Sequence, residues 1–333
     1  MDDSLYGVRD KRGDWKPIKL IEYPPVFVWP VQAFNLLKWL LDFPGYILPY
    51  NLFYAVAGVA LWLLMPPLAV MRTFSISWMA YLFVLSAAVV LFFFGAFHLK
   101  LYIKRTQRQA FKYNAKWLAT DNPVFLFRSQ IADNMIRTFA SGVPIATAYA
   151  AVVLWALANG YTPFVSLQEH PVYSIVLFLL IPIINEVHFY FIHRFLHWPP
   201  LYRAVHKLHH NNVNPGPWSG LAMHPVEHLL YFSSALFFWV IPANPVHVLF
   251  HLVNMQLAPA VAHVGFDKVL IGDKIAITTD GYAHYLHHKY FECNYSDGVV
   301  PLDKWFGSFH DGSPEAQERM NKRFMKRAAR RGT

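Results

Sequence analysis

The chain has 333 residues and a formal net charge of +9; 55% of it is hydrophobic, 17% aromatic and only 15% charged, with a mean hydropathy of +0.27. A chain this long and this apolar is excluded from the ordinary soluble domains, and the bilayer is its natural solvent. A single cysteine, Cys293, excludes an intramolecular disulfide and a thiolate-rich metal site.

The first residues mix Asp2, Asp3, Arg9, Asp10, Lys11, Arg12 and Asp14 with no apolar core behind them, unlike a cleaved secretory signal. Residues 31–42 are too short and too punctuated by proline to span; Lys38 and Trp39 there suggest a segment lying in the membrane interface. Charge-free apolar stretches predict spans at about 50–70, 76–98, 138–158 and 171–192. A helical hairpin follows with limbs at 228–242 and 245–263, broken by Ile241-Pro242-Ala243-Asn244-Pro245. The expected fold is an all-α, multi-pass transmembrane bundle of about six spans with a cytoplasmic helical cap. Four regions are expected: an N-terminal segment at 1–48, transmembrane helices with a basic loop at 49–169, a catalytic domain at 170–312 and a basic tail at 313–333.

Charge sets the expected orientation. The loop after the second span carries Lys100, Lys104, Arg105, Arg108, Lys112, Lys116, Arg128 and Arg137 against Asp121 and Asp133, and the tail is rich in Arg and Lys from Arg319 to Arg331. The connection at 159–170 has no Lys or Arg, and the hairpin turn has no charge. Six spans with both termini in the cytoplasm satisfy each of these biases. Beside so many spans, the basic residues point to anionic lipid and not to nucleic acid.

All of the 17 histidines except His98, His170 and His310 lie within 188–288. His193 and His197 sit one turn apart on a segment, 171–197, that at 1.5 Å per residue is roughly 40 Å long and must protrude from a hydrocarbon core of about 30 Å. Two His-x-x-His-His triplets follow, His206/His209/His210 and His284/His287/His288. In each, the first and last can reach one ion while the middle one leans toward a neighbour. His188 is turned away from His193. The pairs His224/His228 and His247/His251 share the helical spacing, but such pairs arise easily at this histidine density and the triplets do not. Eight clustered imidazoles point to a two-metal site of nitrogen ligands. A dizinc hydrolase would usually add bridging carboxylates, and the clusters contain none; a metal transporter would place histidines and acids along a path inside the spans. Neutral ligands leave the metal charge uncompensated, which favours two redox-active irons over zinc.

These residues resemble a known family. His193-Arg-Phe-Leu-His197, His206-Lys-Leu-His-His210 and His284-Tyr-Leu-His-His288, then Asn294-Tyr295 and Leu302-Asp303, look like the fatty acid hydroxylase/sterol desaturase superfamily of membrane diiron enzymes, over about 170–312. His224-Pro225-Val-Glu227 and His263-Val-Gly265-Phe266-Asp267 are similar to its sterol 4-methyl oxidase and sphinganine 4-hydroxylase branch. The resemblance implies an oxygen-dependent, non-haem diiron oxidase hydroxylating or desaturating a C–H bond of a sterol, sphingoid or acyl lipid, with hydroxylation favoured by the branch. It nominates His263 as a ninth metal ligand and His224 as a tenth. Residues 1–135 show none of its signatures and no fused b-type cytochrome, so an external donor is expected, a b-type cytochrome or a ferredoxin with its reductase. Glu227, Asp267, Asp280 and Asp303 are the nearest acids in sequence, with surface solvation their default reading; Glu186, an acid near the end of an apolar span, is the better functional suspect by membrane cost.

Overall fold

In the computed structural model, which describes residues 1–272, 275–296 and 298–331, the chain is mostly helical. Among the described residues the strands form two antiparallel hairpins, β1 (Gly7–Arg9) with β2 (Trp15–Pro17) and β3 (Lys268–Ile271) with β4 (Ile275–Thr278). The helices in chain order are α1 (Ala33–Leu41), α2 (Leu52–Leu64), α3 (Ile76–His98), α4 (Gln130–Arg137), α5 (Val143–Ala158), α6 (Pro171–Leu196), α7 (Pro199–Leu201), α8 (Lys207–His210), α9 (Pro225–Phe232), α10 (Pro245–Ala262), α11 (Tyr282–Tyr290), α12 (Leu302–Trp305) and α13 (Pro314–Arg331).

Among the described residues, five helical stretches are long and apolar enough to cross a membrane: Ile47–Leu64, Ile76–Ile103, Gln130–Ala158, Pro171–Leu196 and Pro245–Ala262. The first stops at Leu64, short of the expected 70, because Met65 is followed by Pro66 and Pro67. The third begins earlier than expected, where Ser129 Oγ caps α4 by accepting the Ala132 N–H. The first hairpin limb, expected as a helix over 228–242, differs most. It is α9, 8 residues long, followed by 7 residues of tighter 3₁₀ helix, Ser233–Trp239. Ser233 Oγ donates to Leu230 O at 2.7 Å where the winding changes. The expected six spans are therefore five long helices and one short limb.

α10 is the axis of the bundle, buried along almost its whole length and packed against α2, α3, α5 and α6. Two glycines make its close packing possible: a Cβ on Gly58 would lie 2.7 Å from the Phe250 backbone, and one on Gly220 2.5 Å from the Pro259 carbonyl carbon. Three polar side chains on α10 reach neighbouring segments. Gln256 Oε1 accepts from Ser86 Oγ at 2.8 Å, His247 Nε2 bonds Ser174 O at 3.1 Å, and His251 Nε2 pairs with Ser234 Oγ at 3.1 Å. His247 and His251 are thus each hydrogen-bonded within the bundle.

The bundle has two different ends. At one, short connections meet: Asn159 Nδ2 donates to Arg72 O, and Ala243 N to Pro163 O. At the other, the long segments 104–129, 197–224 and 263–331 gather with the N-terminal hairpin. Trp15 packs there with Phe111, Tyr113, Tyr285 and Met320, so β2, the 104–129 segment, α11 and α13 share one cluster. Lys112, counted above among the basic loop charges, is turned fully inward. Its ammonium donates to Asn114 O and Lys116 O, both at 2.7 Å, and lies over the Tyr102, Trp117 and Phe266 rings, which removes it from the surface that could meet lipid headgroups.

Candidate metal centre

α6 carries His193 and His197 out of the bundle on the last turn of its 26 residues. α7 reverses the chain, and a continuous winding from Tyr202 through α8 brings His206, His209 and His210 back over them. α10 ends at His263, and α11 supplies His284, His287 and His288. Nine imidazoles therefore converge at the end of the bundle where the long segments gather.

They divide into two groups that could each hold a metal ion: His193, His197, His206, His210 and His287 in one, and His209, His263, His284 and His288 in the other. Each triplet is split between them. His206 and His210 join the first group while His209 crosses to the second, and His284 and His288 join the second while His287 crosses to the first. This is what i, i+3, i+4 spacing allows, because the middle imidazole leaves the helix about 60° from the first and about 100° from the last, which are only about 40° apart. Eight of the nine are buried, and only His197 is partly exposed.

The ring nitrogens fit a cation. In the first group Nε2 atoms of His197, His206, His210 and His287 face one another at 3.0–3.2 Å, and in the second those of His209, His263, His284 and His288 lie at 2.9–3.2 Å. Three rings have their proton fixed on Nδ1 by a carbonyl, which can only accept: His193 to Tyr295 O at 2.8 Å, His287 to Cys293 O at 2.7 Å and His263 to Pro259 O at 2.7 Å. Their Nε2 lone pairs consequently point inward, and that of His193 is buried with no hydrogen-bond donor. Lone pairs held about 3 Å apart around a common centre repel unless a cation sits between them. With metal–nitrogen bonds of about 2.1 Å, that separation suits neighbouring ligands of one ion. Burial, reinforced by the neighbouring rings, pushes the pKa of His206, His209, His210, His284, His287 and His288 well below the usual range, which keeps them as neutral ligands. Burial likewise takes His263 down to about 4.

Behind the rings stands a set of orienting groups that the sequence left unplaced. Glu227, buried at the start of α9, accepts from His206 Nδ1 at 2.8 Å. Asp303 is buried and not solvated: its carboxylate accepts from Tyr295 N, Ser296 N and Ser308 Oγ at 2.9, 2.8 and 2.5 Å. It thereby fixes the loop whose Tyr295 carbonyl orients His193. Asn294 holds the same loop through Ala283 O and His310 O. Glu186, suspected of function, instead accepts the backbone N–H groups of Gly298, Val299 and Val300 at 2.9–3.0 Å and ties that loop to α6. Asp267 accepts from Tyr113 OH at 3.1 Å and touches no imidazole of either group.

His224, expected as a tenth ligand, is not brought in. Its Nδ1 accepts from Val226 N at 3.2 Å and caps α9, and it belongs to neither group. As the residue just before Pro225 it is committed to the helix entrance; the useful residue of that motif is Glu227. His188 pairs with Ser233 Oγ at 2.9 Å and is also outside both groups.

Residues 178–308 match the fatty acid hydroxylase family model, and all nine convergent histidines fall inside that match. Over that stretch the chain is similar to the fatty acid hydroxylase family. Among its relatives are Delta(7)-sterol 5(6)-desaturases of Gibberella zeae, 33% identical over 41% of this chain and 42% of the relative, and of Aspergillus fumigatus, 29% identical over 60% and 56%. A third, from Candida glabrata, is 30% identical over 42% and 39%. The chain spans about half the length of the curated relatives it matches, or less. No solved structure matches it. The names of these relatives are those of desaturases, whereas the motifs at His224 and His263 resemble the methyl oxidase and 4-hydroxylase branch.

A test of the orienting groups follows from the Glu227 contact. Glu227→Ala should weaken binding of one of two metal ions by about 10- to 100-fold, measured by titration against a competing chelator. Glu227→Gln, which keeps an oxygen acceptor for His206 Nδ1, should recover part of that loss.

Proposed function

We propose that the chain is an oxygen-dependent, non-haem diiron oxidase of a membrane lipid. One iron is held by His193, His197, His206, His210 and His287, the other by His209, His263, His284 and His288. The observation that carries this reading is the division of nine neutral imidazoles into groups of five and four with no carboxylate in either. Bound there, the irons supply the reduction of dioxygen and the removal of hydrogen from an unactivated C–H bond. The protein's own part is to hold the rings by Tyr295, Cys293, Pro259 and Glu227, to exclude bulk water by burying eight of the nine, and to present lipid from the bundle to that end. Hydroxylation consumes one dioxygen, two electrons and two protons and releases one water; desaturation consumes the same and releases two.

The electrons come from an external one-electron carrier, a b-type cytochrome or a ferredoxin with its reductase. The histidine end and both termini face the cytoplasm, in keeping with the excess of Lys and Arg in the segments gathered there. The desaturase relatives support a sterol as the lipid class and a double bond as the outcome; the motifs at Glu227 and His263 support a hydroxylation of the same kind of substrate. A zinc hydrolase is disfavoured by the five imidazoles of the first group, since catalytic zinc keeps three protein ligands and an open position. A metal transporter is disfavoured because His188, His247 and His251, inside the spans, are engaged in hydrogen bonds.

Lipid extracts from cells with and without the protein, compared by mass, should differ by gain of one oxygen or loss of two hydrogens in one lipid class. That difference should vanish without oxygen. Identical extracts from cells holding iron-loaded protein would overturn the reading.

A further inference from the structure

The imidazoles of the second group are held differently from those of the first. In the first, His193, His206 and His287 each have Nδ1 fixed, by Tyr295 O, Glu227 and Cys293 O respectively, and all three partners lie inside the 178–308 match. In the second, His263 is fixed by Pro259 O, but Nδ1 of His284 and of His288 is buried without a hydrogen-bond partner. Rings without a partner of their own take their direction from the backbone that carries them. The contacts that fix this backbone therefore set the geometry of the second group.

Those contacts come from residues 102–134, ahead of the match. Tyr102 is buried, and its OH donates to Val264 O at 2.8 Å and lies 3.3 Å from Pro215 O. It ties the residue after His263 to the chain that leaves His210. Gly265 makes room for it: φ is +80°, and a Cβ there would be 2.6 Å from the Tyr102 oxygen. Tyr113 N donates to Gly265 O at 3.1 Å and Asp267 N to Phe111 O at 2.8 Å. Tyr113 also stacks on Tyr285 at 5.0 Å, on the helix that carries His284 and His288. His209 is reached through α4. Gln130 Nε2, Asn134 Nδ2 and Ser219 Oγ converge on Asn212 Oδ1 at 3.0, 2.9 and 3.1 Å. Three donors place the oxygen there, so Asn212 Nδ2 is turned to His209 O, to which it donates at 3.1 Å.

We propose that Tyr102, Gln130 and Asn134 are positioning residues for the second metal ion, so that this half of the centre is completed from outside the family match while the first half is completed within it. Tyr102 stands at the end of the span Ile76–Ile103, and Gln130 and Asn134 at the start of the span Gln130–Ala158. The hydrogen bonds thus brace the loops that carry His209 and His263 against two membrane helices, which are stiffer supports than the loops themselves. The proposal rests on the two-metal reading of the site and not on what the centre oxidises.

The test measures the affinity of the full chain in detergent for iron(II), without oxygen, by competition with a chelator. Two backgrounds separate the sites: His287→Ala keeps the second group intact, and His209→Ala keeps the first. Tyr102→Phe should weaken the ion of the His287→Ala chain about 10-fold, the lower end of what groups behind a metal ligand contribute, and leave that of the His209→Ala chain unchanged. Asn134→Ala should show the same asymmetry. Ser86→Ala, which removes another buried hydrogen bond to α10, should alter neither. Equal weakening in both backgrounds would mark damage to the fold and not to one site, and unaltered affinity in both would remove the role; either result overturns the proposal. If the single-histidine variants themselves fail to bind one ion each, the ligand assignment falls, and the proposal with it.

Discussion

His287→Ala is expected to bind about one metal ion where the proposed centre of the wild type binds about two, and to lose the proposed lipid oxidation. The reason is the crossing of the triplets: His287 lies between His284 and His288 on α11, yet its Nε2 faces His197 and His210 at 3.2 and 3.1 Å. Removing it takes a ligand from the five-imidazole group and leaves the four-imidazole group intact. His209→Ala is the mirror case, because His209 Nε2 faces His263 at 3.2 Å while its neighbours serve the other group. The double variant should bind little metal and lose at least about three orders of magnitude of activity, as expected when both members of a coupled centre fail. Metal analysis of the three purified variants checks this. A full complement of metal in the double variant would refute the ligand assignment.

Asp303→Ala gives the second large effect, although Asp303 touches neither group. Its carboxylate is buried under three donors, Tyr295 N, Ser296 N and Ser308 Oγ. Truncation leaves them unsatisfied, at about 1–3 kcal/mol each before relaxation, so a loss of about 3 kcal/mol or more of stability is expected. The freed loop also releases the Tyr295 carbonyl from His193 Nδ1. Thermal unfolding of metal-free protein should fall markedly, and metal affinity of the refolded chain should fall with it. Asp303→Asn, which keeps one oxygen acceptor but adds a donor among donors, should recover only part of the loss. An unfolding midpoint within a degree of wild type in Asp303→Ala would show that the loop is held by other contacts, with Glu186 the leading one.

The positions of the long helices were legible because continuous apolar runs have few alternatives in a bilayer: every backbone N–H and C=O must be bonded within its own segment. Their starts were legible where proline set them, as at Pro171 and Pro245, and their ends were misread where the stop fell inside or beside an otherwise continuous apolar run. Met65-Pro66-Pro67 ended α2 early, and back-bonding by Ser233 tightened the limb after α9. His224 illustrates a different failure. A motif match placed it among the ligands, but a histidine just before a helix-starting proline is at a cap position, and its ring is spent on the Val226 N–H. Its partner in the motif, Glu227, carried no signal of its own beyond the match.

The sequence by itself determined a helical membrane protein with clustered imidazoles at metal-ligand spacing, because hydropathy and the spacing of imidazoles along a helix are local properties, fixed by rise and turn. Only the tertiary structure decided which imidazoles gather in which group and which acids orient them. Those depend on contacts between segments as far apart as Glu186 and Val300, or His193 and Tyr295, and no local pattern encodes the side on which two distant segments will meet.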